Sequence, residues 1–412
     1  MEYTILLELG LILFFTKLLG LVFRKLGLPQ VVGFLIAGLI LGPSLLGWVS
    51  PSATLKIISE IGVLLIMFSA GLGTSFKDLK ESGGVAAVVA FGGVVLPLVA
   101  GFCLGAIFNG GFADLDSDKI LKYSFIGIIM TATSVSITVE TLRELGKLKS
   151  KAGTIILNAA IIDDIIGIVL LSIVLGFKDP HIQPVESILK IALFFIVAIG
   201  FGLGIRMIFT RLVRKFPHKR RVPIFSLAVC FIYAFVAEKG FGVADITGAY
   251  LAGIILSGLH ETEYVDQKIE TSAYMFFAPV FFASIGINAL FRGFTLDILW
   301  FSLAFVAVAV VAKYAGCFIT SRMLKNDVKN SNIIGIGMVA RGEVCLIVIQ
   351  KGVDSGFIPP NEIAVYMAMG VLLVIISSLI APIFLKISYN AMDKHAIIQA
   401  KNVSSVSAQK SI

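Results

Sequence analysis

Charge is scarce in this chain of 412 residues: Asp, Glu, Lys and Arg make up 15% of it, against 58% hydrophobic residues. An ordinary soluble domain carries about 25% charged residues. The few charges here cluster between long apolar runs instead of alternating with them, which excludes a typical soluble enzyme and a disordered chain. Cysteine is equally thin: Cys103, Cys230, Cys317 and Cys345 are scattered through apolar stretches, with no pair at metal-ligand spacing. That excludes a disulfide scaffold and a zinc module. The four histidines, His181, His218, His260 and His395, fall in loops or the tail, so no imidazole relay crosses the apolar interior. Gly200, Gly202 and Gly204 match a nucleotide loop only in spacing; no strand precedes them, and close helix packing accounts for them better. No cofactor motif remains.

What the chain has is long hydrophobic runs. A membrane-spanning helix needs roughly 20 mostly apolar residues, and that window yields thirteen candidates, at 4–23, 29–47, 54–73, 84–108, 121–143, 152–177, 186–210, 222–239, 244–259, 268–288, 296–321, 331–352 and 361–388. The first has no basic leader, since the chain opens Met1-Glu2, so it is expected to be retained. Lys and Arg concentrate in alternate loops, among them Arg143, Lys147, Lys149 and Lys151, the run from Arg211 to Arg221, and Arg322, Lys325 and Lys329. The opposite loops are poor in them, and one, Asp114 to Asp118, is acidic. The positive-inside rule then places the N-terminus outside and the C-terminus in the cytoplasm. The net charge of +8 therefore reflects topology, not nucleic-acid binding.

With thirteen spans, the first six and the last six run in opposite orientations about a seventh, as an inverted-repeat transporter requires. The equivalent fifth and twelfth spans are both interrupted. One reads Met130-Thr131-Ala132-Thr133-Ser134-Val135-Ser136, and the other Gly335-Ile336-Gly337-Met338-Val339-Ala340-Arg341-Gly342-Glu343.

A charge at the centre of a spanning helix costs about 2.5–3.5 kcal/mol on insertion scales, yet Asp163, Asp164, Lys313, Arg341 and Glu343 all lie inside apolar runs. Buried ion pairs that merely fix packing are one reading. Two adjacent carboxylates argue for more, because neighbouring helical positions diverge by about 100°. One can pair with Lys313 while its neighbour faces a cavity. Such carboxylates can take up protons or bind a small cation through oxygens, with Thr133, Ser134 and freed carbonyls completing the shell. Competition between proton and cation for the same groups couples their movements. Elsewhere, Glu140 is expected to pair with Arg143, His260-Glu261-Thr262-Glu263 to form a solvated turn, and Asp245 to cap the ninth span.

Six motifs in order carry a family resemblance: Leu28 to Pro43 (LPQVVGFLIAGLILGP), Thr131-Ala132-Thr133-Ser134, Asp163-Asp164, Gly248 to Gly253 (GAYLAG), Phe281 to Gly286 (FFASIG), and Arg341-Gly342-Glu343. Over nearly its whole length the chain resembles bacterial monovalent cation–proton antiporters, in the NapA-like branch related to the Kef systems. The double aspartate with a lysine in the eleventh span is similar to the electrogenic sodium–proton exchangers of that group. Kef-like potassium systems carry Gln-Asp and electroneutral relatives Asn-Asp. One position departs: relatives often read Gly-Leu-Glu at the end of the third helix, whereas Gly71-Leu72-Gly73 stands here, and no role passes to Gly73.

The resemblance implies an all-α polytopic membrane protein of about thirteen helices, in inverted repeats of six, with the NhaA-like sodium/proton antiporter fold and two discontinuous helices. It implies scaffold helices at 1–80 and 222–290, transport-core helices at 81–180 and 291–390, and a linker helix with a basic loop at 181–221; the polar, Ser/Lys-rich composition of 391–412 predicts a disordered cytoplasmic tail. It implies Asp164 as the main cation and proton carboxylate and Asp163 as partner of Lys313. Thr133 and Ser134 would lie in the ion path, and Arg341 and Glu343 would compensate charge at the helix breaks. The expected activity is electrogenic exchange of Na⁺, and Li⁺, for H⁺ at an Asp163/Asp164 metal site within an elevator-like core. The alternatives are a K⁺/H⁺ antiporter, a Kef-type K⁺ efflux system, or a sensor signalling through its cytoplasmic loops. No enzyme activity, no cofactor beyond the transported ions and no nucleic acid are expected. A homodimer in the inner membrane is.

Overall fold

In a computed structural model the protein is described over residues 3–74, 76–108, 111, 115–177, 184–215, 221–288, 296–354 and 356–409. Among these there is no strand. Sixteen helices follow one another: α1 (Thr4–Lys25), α2 (Gln30–Leu41), α3 (Ala53–Leu72), α4 (Phe76–Phe108), α5 (Ser117–Thr131), α6 (Val135–Glu144), α7 (Lys151–Gly176), α8 (Pro184–Lys215), α9 (Arg221–Phe235), α10 (Asp245–Leu256), α11 (Thr262–Ser272), α12 (Ala278–Ile287), α13 (Leu296–Met323), α14 (Val328–Gly337), α15 (Glu343–Asp354) and α16 (Ile363–Gln409). Wider π-helical turns at Val236–Gly240 and Ala273–Phe277 extend α9 and join α11 to α12.

Ten helical segments among the described residues are long and apolar enough to cross a membrane, and Gln30–Leu41, Asp245–Leu256 and Val344–Val353 are shorter apolar helices. The windows expected at 29–47 and 244–259 are thus too long. A helix of 12 residues rises about 18 Å, short of the roughly 30 Å hydrocarbon core. Gly42, followed by Pro43, and Ser257 each leave the helix in an extended conformation. At the C-terminal end α16 stays helical through Gln409. Ala391, Met392, Lys394, Ala396, Gln399 and Ala400 are all strong helix formers. Several loop charges that set the orientation, including Asp114, Lys178, Lys219, Arg220 and Arg292, and the histidines His181 and His218, lie outside the described residues.

Two packing groups can be distinguished. α4 lies along α13, α5 and α7, while α13 also packs on α14 and α16. Separately, α3 packs on α10 and α12, α2 on α1 and α12, and α10 on α9. Between the groups, α6 touches α2 and α3, α16 touches α2, and α8 touches both α7 and α10. Apolar faces on α1 (Leu7, Phe14, Leu18) and α8 (Leu189, Ile196, Phe201, Leu203) are exposed; on a chain of this composition, lipid is what covers such faces.

Each group is drawn tight by small residues, the usual means of membrane helix packing. A methyl group on Gly38 of α2 would fall inside the van der Waals radius of the Ala283 carbonyl of α12, and one on Gly316 of α13 would meet the Gly92 backbone of α4. Backbone cannot yield as a flexible side chain can. Gly38→Ala is therefore expected to destabilise by about 1–3 kcal/mol, the usual range for overpacking, read as a lower Tm in detergent. An unchanged Tm would show that α2 and α12 separate freely.

Candidate ion-binding site

Two broken helices meet in the first packing group. α5 stops at Thr131, Ala132 leaves the helical conformation, Ser134 is extended, and α6 begins at Val135. Local hydroxyls promote the break by competing for the backbone: Thr131 Oγ1 donates to the Ile128 carbonyl at 2.8 Å. The second break runs from Met338 to Gly342, after α14 ends in the glycine-rich Gly335-Ile336-Gly337. The breaks touch, with the Ser134 N–H donating to the Ala340 carbonyl at 2.8 Å. Thr138 of α6 likewise donates to the Gly337 carbonyl at 2.7 Å.

A helix that stops inside protein leaves carbonyls without intrahelical donors and a partial negative charge at its C-terminus. Two cations answer those of α5. Lys313 Nζ reaches the Thr131 carbonyl at 2.8 Å, and Arg341 Nη2 reaches the Met130 carbonyl at 2.7 Å. Both side chains are 0% exposed. Arg341 is itself pinned through its backbone by two α16 hydroxyls: its N–H donates to Ser377 Oγ at 3.0 Å, and its carbonyl accepts from Ser378 Oγ at 2.8 Å.

The carboxylates of α7 complete the site. Asp163 Oδ1 lies 2.6 Å from Lys313 Nζ, both side chains almost wholly shielded from solvent. Its other oxygen accepts from Thr133 Oγ1 at 2.7 Å. The Thr133 hydroxyl in turn accepts from Arg341 Nη1 at 3.1 Å. A chain of contacts therefore runs Lys313–Asp163–Thr133–Arg341 across both breaks. Asp164, one residue on and about 100° round the helix, is 7% exposed. The formal charges of Lys313, Arg341, Asp163 and Asp164 cancel, which makes so buried a cluster tolerable in low dielectric. The Ser134 hydroxyl, buried beside Gly342, lies 3.3 Å from that of Ser136. Glu343 opens α15, and its side chain lies outside the described residues.

Chemically, the cluster offers oxygen ligands and exchangeable protons at one buried point, the donor set that a small hard cation takes. Every atom of it belongs to a helix break or to α7 and α13. A family model described as "Sodium/hydrogen exchanger, transmembrane" matches residues 10–388. The chain belongs to this family of transporters. The exchanger is similar to the Na(+)/H(+)-K(+) antiporter GerN of Bacillus cereus, with 39% identity over 96% of this chain and 98% of that one. It is also similar to a Na(+)/H(+) antiporter of Enterococcus hirae, with 34% identity over 92% and 96%. Its fold is that of the sodium proton antiporter MjNhaP1 from Methanocaldococcus jannaschii at pH 8: TM-score 0.68, 18% identity, 92% and 96% of the two chains.

Other charged residues lie elsewhere in the exchanger. Glu140 lies 3.6 Å from Arg143. Asp245 is the first residue of α10, where its carboxylate accepts from the Ile246 N–H at 2.7 Å. Several residues escaped the reading of the sequence. Ser377 and Ser378 hold Arg341, and the only available signal was a hydroxyl pair inside an apolar run. Asn158 of α7, 2% exposed, donates to Ser82 and accepts from Tyr250. The link between Glu144 and Gln30 had no signal at all, because its partners stand 114 positions apart.

Proposed function

We propose that this exchanger carries Na⁺, and Li⁺, against H⁺, with the two competing for Asp164 beside the Asp163–Lys313 pair. The observation that carries the reading is a carboxylate–ammonium pair wholly out of water, placed next to a second buried carboxylate where two helices break. A purely structural pair needs one acid for one base. Here a cation arriving at Asp164 adds positive charge beside Lys313 and weakens its hold on its proton, so that ion binding and proton release are linked through Asp163. If two protons leave for each Na⁺, every cycle moves one net charge. A potential of 100 mV then contributes about 2.3 kcal/mol per cycle.

In this reading α4–α7 and α13–α16 form a core that moves against a scaffold of α1–α3 and α9–α12, with α8 as linker. The two broken segments are equivalent elements of inverted six-helix repeats, and the scaffold pairs in a homodimer. The chain sits in the inner membrane, N-terminus outside and C-terminus cytoplasmic, as the loop charges require. The resemblance in sequence to two named Na⁺/H⁺ antiporters supports the substrate. One relative's name includes K⁺, so K⁺/H⁺ exchange is the second reading.

Proteoliposomes with an imposed pH gradient test both. Na⁺ and Li⁺ are expected to collapse the gradient in wild type, faster when valinomycin sets a favourable potential. Asp164→Asn is expected to stay at the protein-free background. Exchange by Asp164→Asn at the wild-type rate would overturn the assignment, and collapse by K⁺ alone would select the second reading.

A further inference from the structure

α2 begins without a local cap. Its first N–H groups have no intrahelical acceptor, and Pro29, in the capping position, supplies no side-chain hydrogen bond. The acceptor comes from another part of the chain: the Gln30 N–H donates to both carboxylate oxygens of Glu144, at 2.9 and 2.7 Å. Glu144 is the last residue of α6. The other end of α6 is the break that holds Thr133 and Ser134. A strut of 10 residues, about 15 Å long, therefore joins the ion site to the N-terminus of a helix in the second packing group.

α6 is fastened to its own group by Thr138 on Gly337 and by Ser134 on Ala340. Its Glu144 end is a charge-assisted bond into a helix N-terminus, a strong kind of hydrogen bond. Elsewhere between the groups, the Tyr250 hydroxyl donates to Asn158 Oδ1 at 3.3 Å, a longer and neutral contact. Unlike the Asp163–Lys313 pair, the Glu144 carboxylate is only half-buried, so water can take its place when the groups part. Around it stand Glu140 and Lys386 from the ion-bearing group and Tyr274 from the other; Arg143 and Glu270 face Glu140, and Arg24 faces Tyr274.

We propose that Glu144 is a positioning residue that acts as a releasable latch: its hold on the N-terminus of α2 fixes the ion-bearing group in the conformation described here, and must break for that group to move. The proposal rests on the moving-core reading above. Loss of one charge-assisted bond shifts the balance of two conformations by about ten-fold or more. Glu144→Gln should therefore move the half-saturating Na⁺ concentrations on the two membrane faces in opposite directions. A variant that only folds poorly would lose maximal rate and leave both concentrations unchanged; that result overturns the latch.

Cross-linking separates the latch from the reading beneath it. In a cysteine-free background that exchanges normally, Gln30→Cys/Glu144→Cys is joined by a short bis-methanethiosulfonate, which attaches to each thiol through a disulfide with loss of methanesulfinate and is released by a thiol reductant. Exchange is expected to fall at least ten-fold and to return on reduction. The control pair is Gly73→Cys/Lys149→Cys, across another point of the same boundary, where a Cβ at Gly73 lies 3.6 Å from Lys149 Cε. If the control blocks exchange and the Gln30–Glu144 link does not, α6 and α2 travel together and the latch fails while the moving core stands. If neither link blocks exchange, the moving core itself fails.

Discussion

Lys313→Ala is expected to lower the stability of the folded protein by about 3–5 kcal/mol, the usual cost of removing one partner from a buried ion pair. Asp163 would keep only the Thr133 hydroxyl, with its side chain still sealed from solvent. A carboxylate left buried without its ammonium partner is the costly species. The Thr131 carbonyl at the end of α5 would lose its strongest donor in the same step. The measurement is thermal unfolding in detergent, alongside the double variant Asp163→Asn/Lys313→Met. Removing both charges should recover most of the lost Tm, because the penalty lies in the orphaned carboxylate and not in the pair. A double variant as unstable as the single would refute that account. In proteoliposomes, Lys313→Ala is also expected to lose its response to membrane potential; an unchanged potential dependence would free Lys313 from any part in the cycle.

Arg341→Met is expected to cost about 2–5 kcal/mol, from polar groups each worth roughly 1–3 kcal/mol when buried without a partner. The guanidinium donates to the Met130 carbonyl and to the Thr133 hydroxyl from separate nitrogens, with a longer contact to the Thr131 carbonyl. It thereby holds the end of α5 at a fixed distance from the second break. Arg341→Lys should recover only part of the stability. A single ammonium has no planar fork to serve two acceptors lying in different directions. Tm values in the order wild type, Lys, Met would confirm the fork, and a lysine variant as stable as wild type would show that charge alone suffices. Because the fork also positions Thr133 against Asp163, both variants should lose exchange activity more than their residual folded fraction explains.

The two breaks were visible in the chain because hydroxyls and glycines inside an apolar run are a local anomaly. So were the charges inside apolar runs, since Lys313 and the Asp163-Asp164 pair stand among aliphatic neighbours. The ends of α2 and α10 were less legible. Hydropathy does not register that Gly42 and Ser257 turn the chain out of the helix while apolar residues continue, so the windows at 29–47 and 244–259 ran long. Helix in the tail was not legible for the opposite reason. Polar residues such as Lys394, Gln399 and Lys401 lower hydropathy without lowering helix propensity, and α16 runs on to Gln409.

The sequence by itself determined the membrane class, the family, the places of the apolar runs and the small set of charged residues within them. Each of these depends on composition within a window of about 20 residues or on short motifs, and such information is local. Only the tertiary structure decided the partners. It brought Arg341 to the α5 carbonyls and to Ser377 and Ser378, and it set Glu144 on the N-terminus of α2. The physical reason is that a buried donor or acceptor takes whatever complementary group packing brings within about 3 Å. The α5 carbonyl and Glu144 stand more than a hundred residues from their partners, and Ser377 and Ser378 stand 36 and 37 from Arg341, distances over which hydrophobic periodicity carries no information.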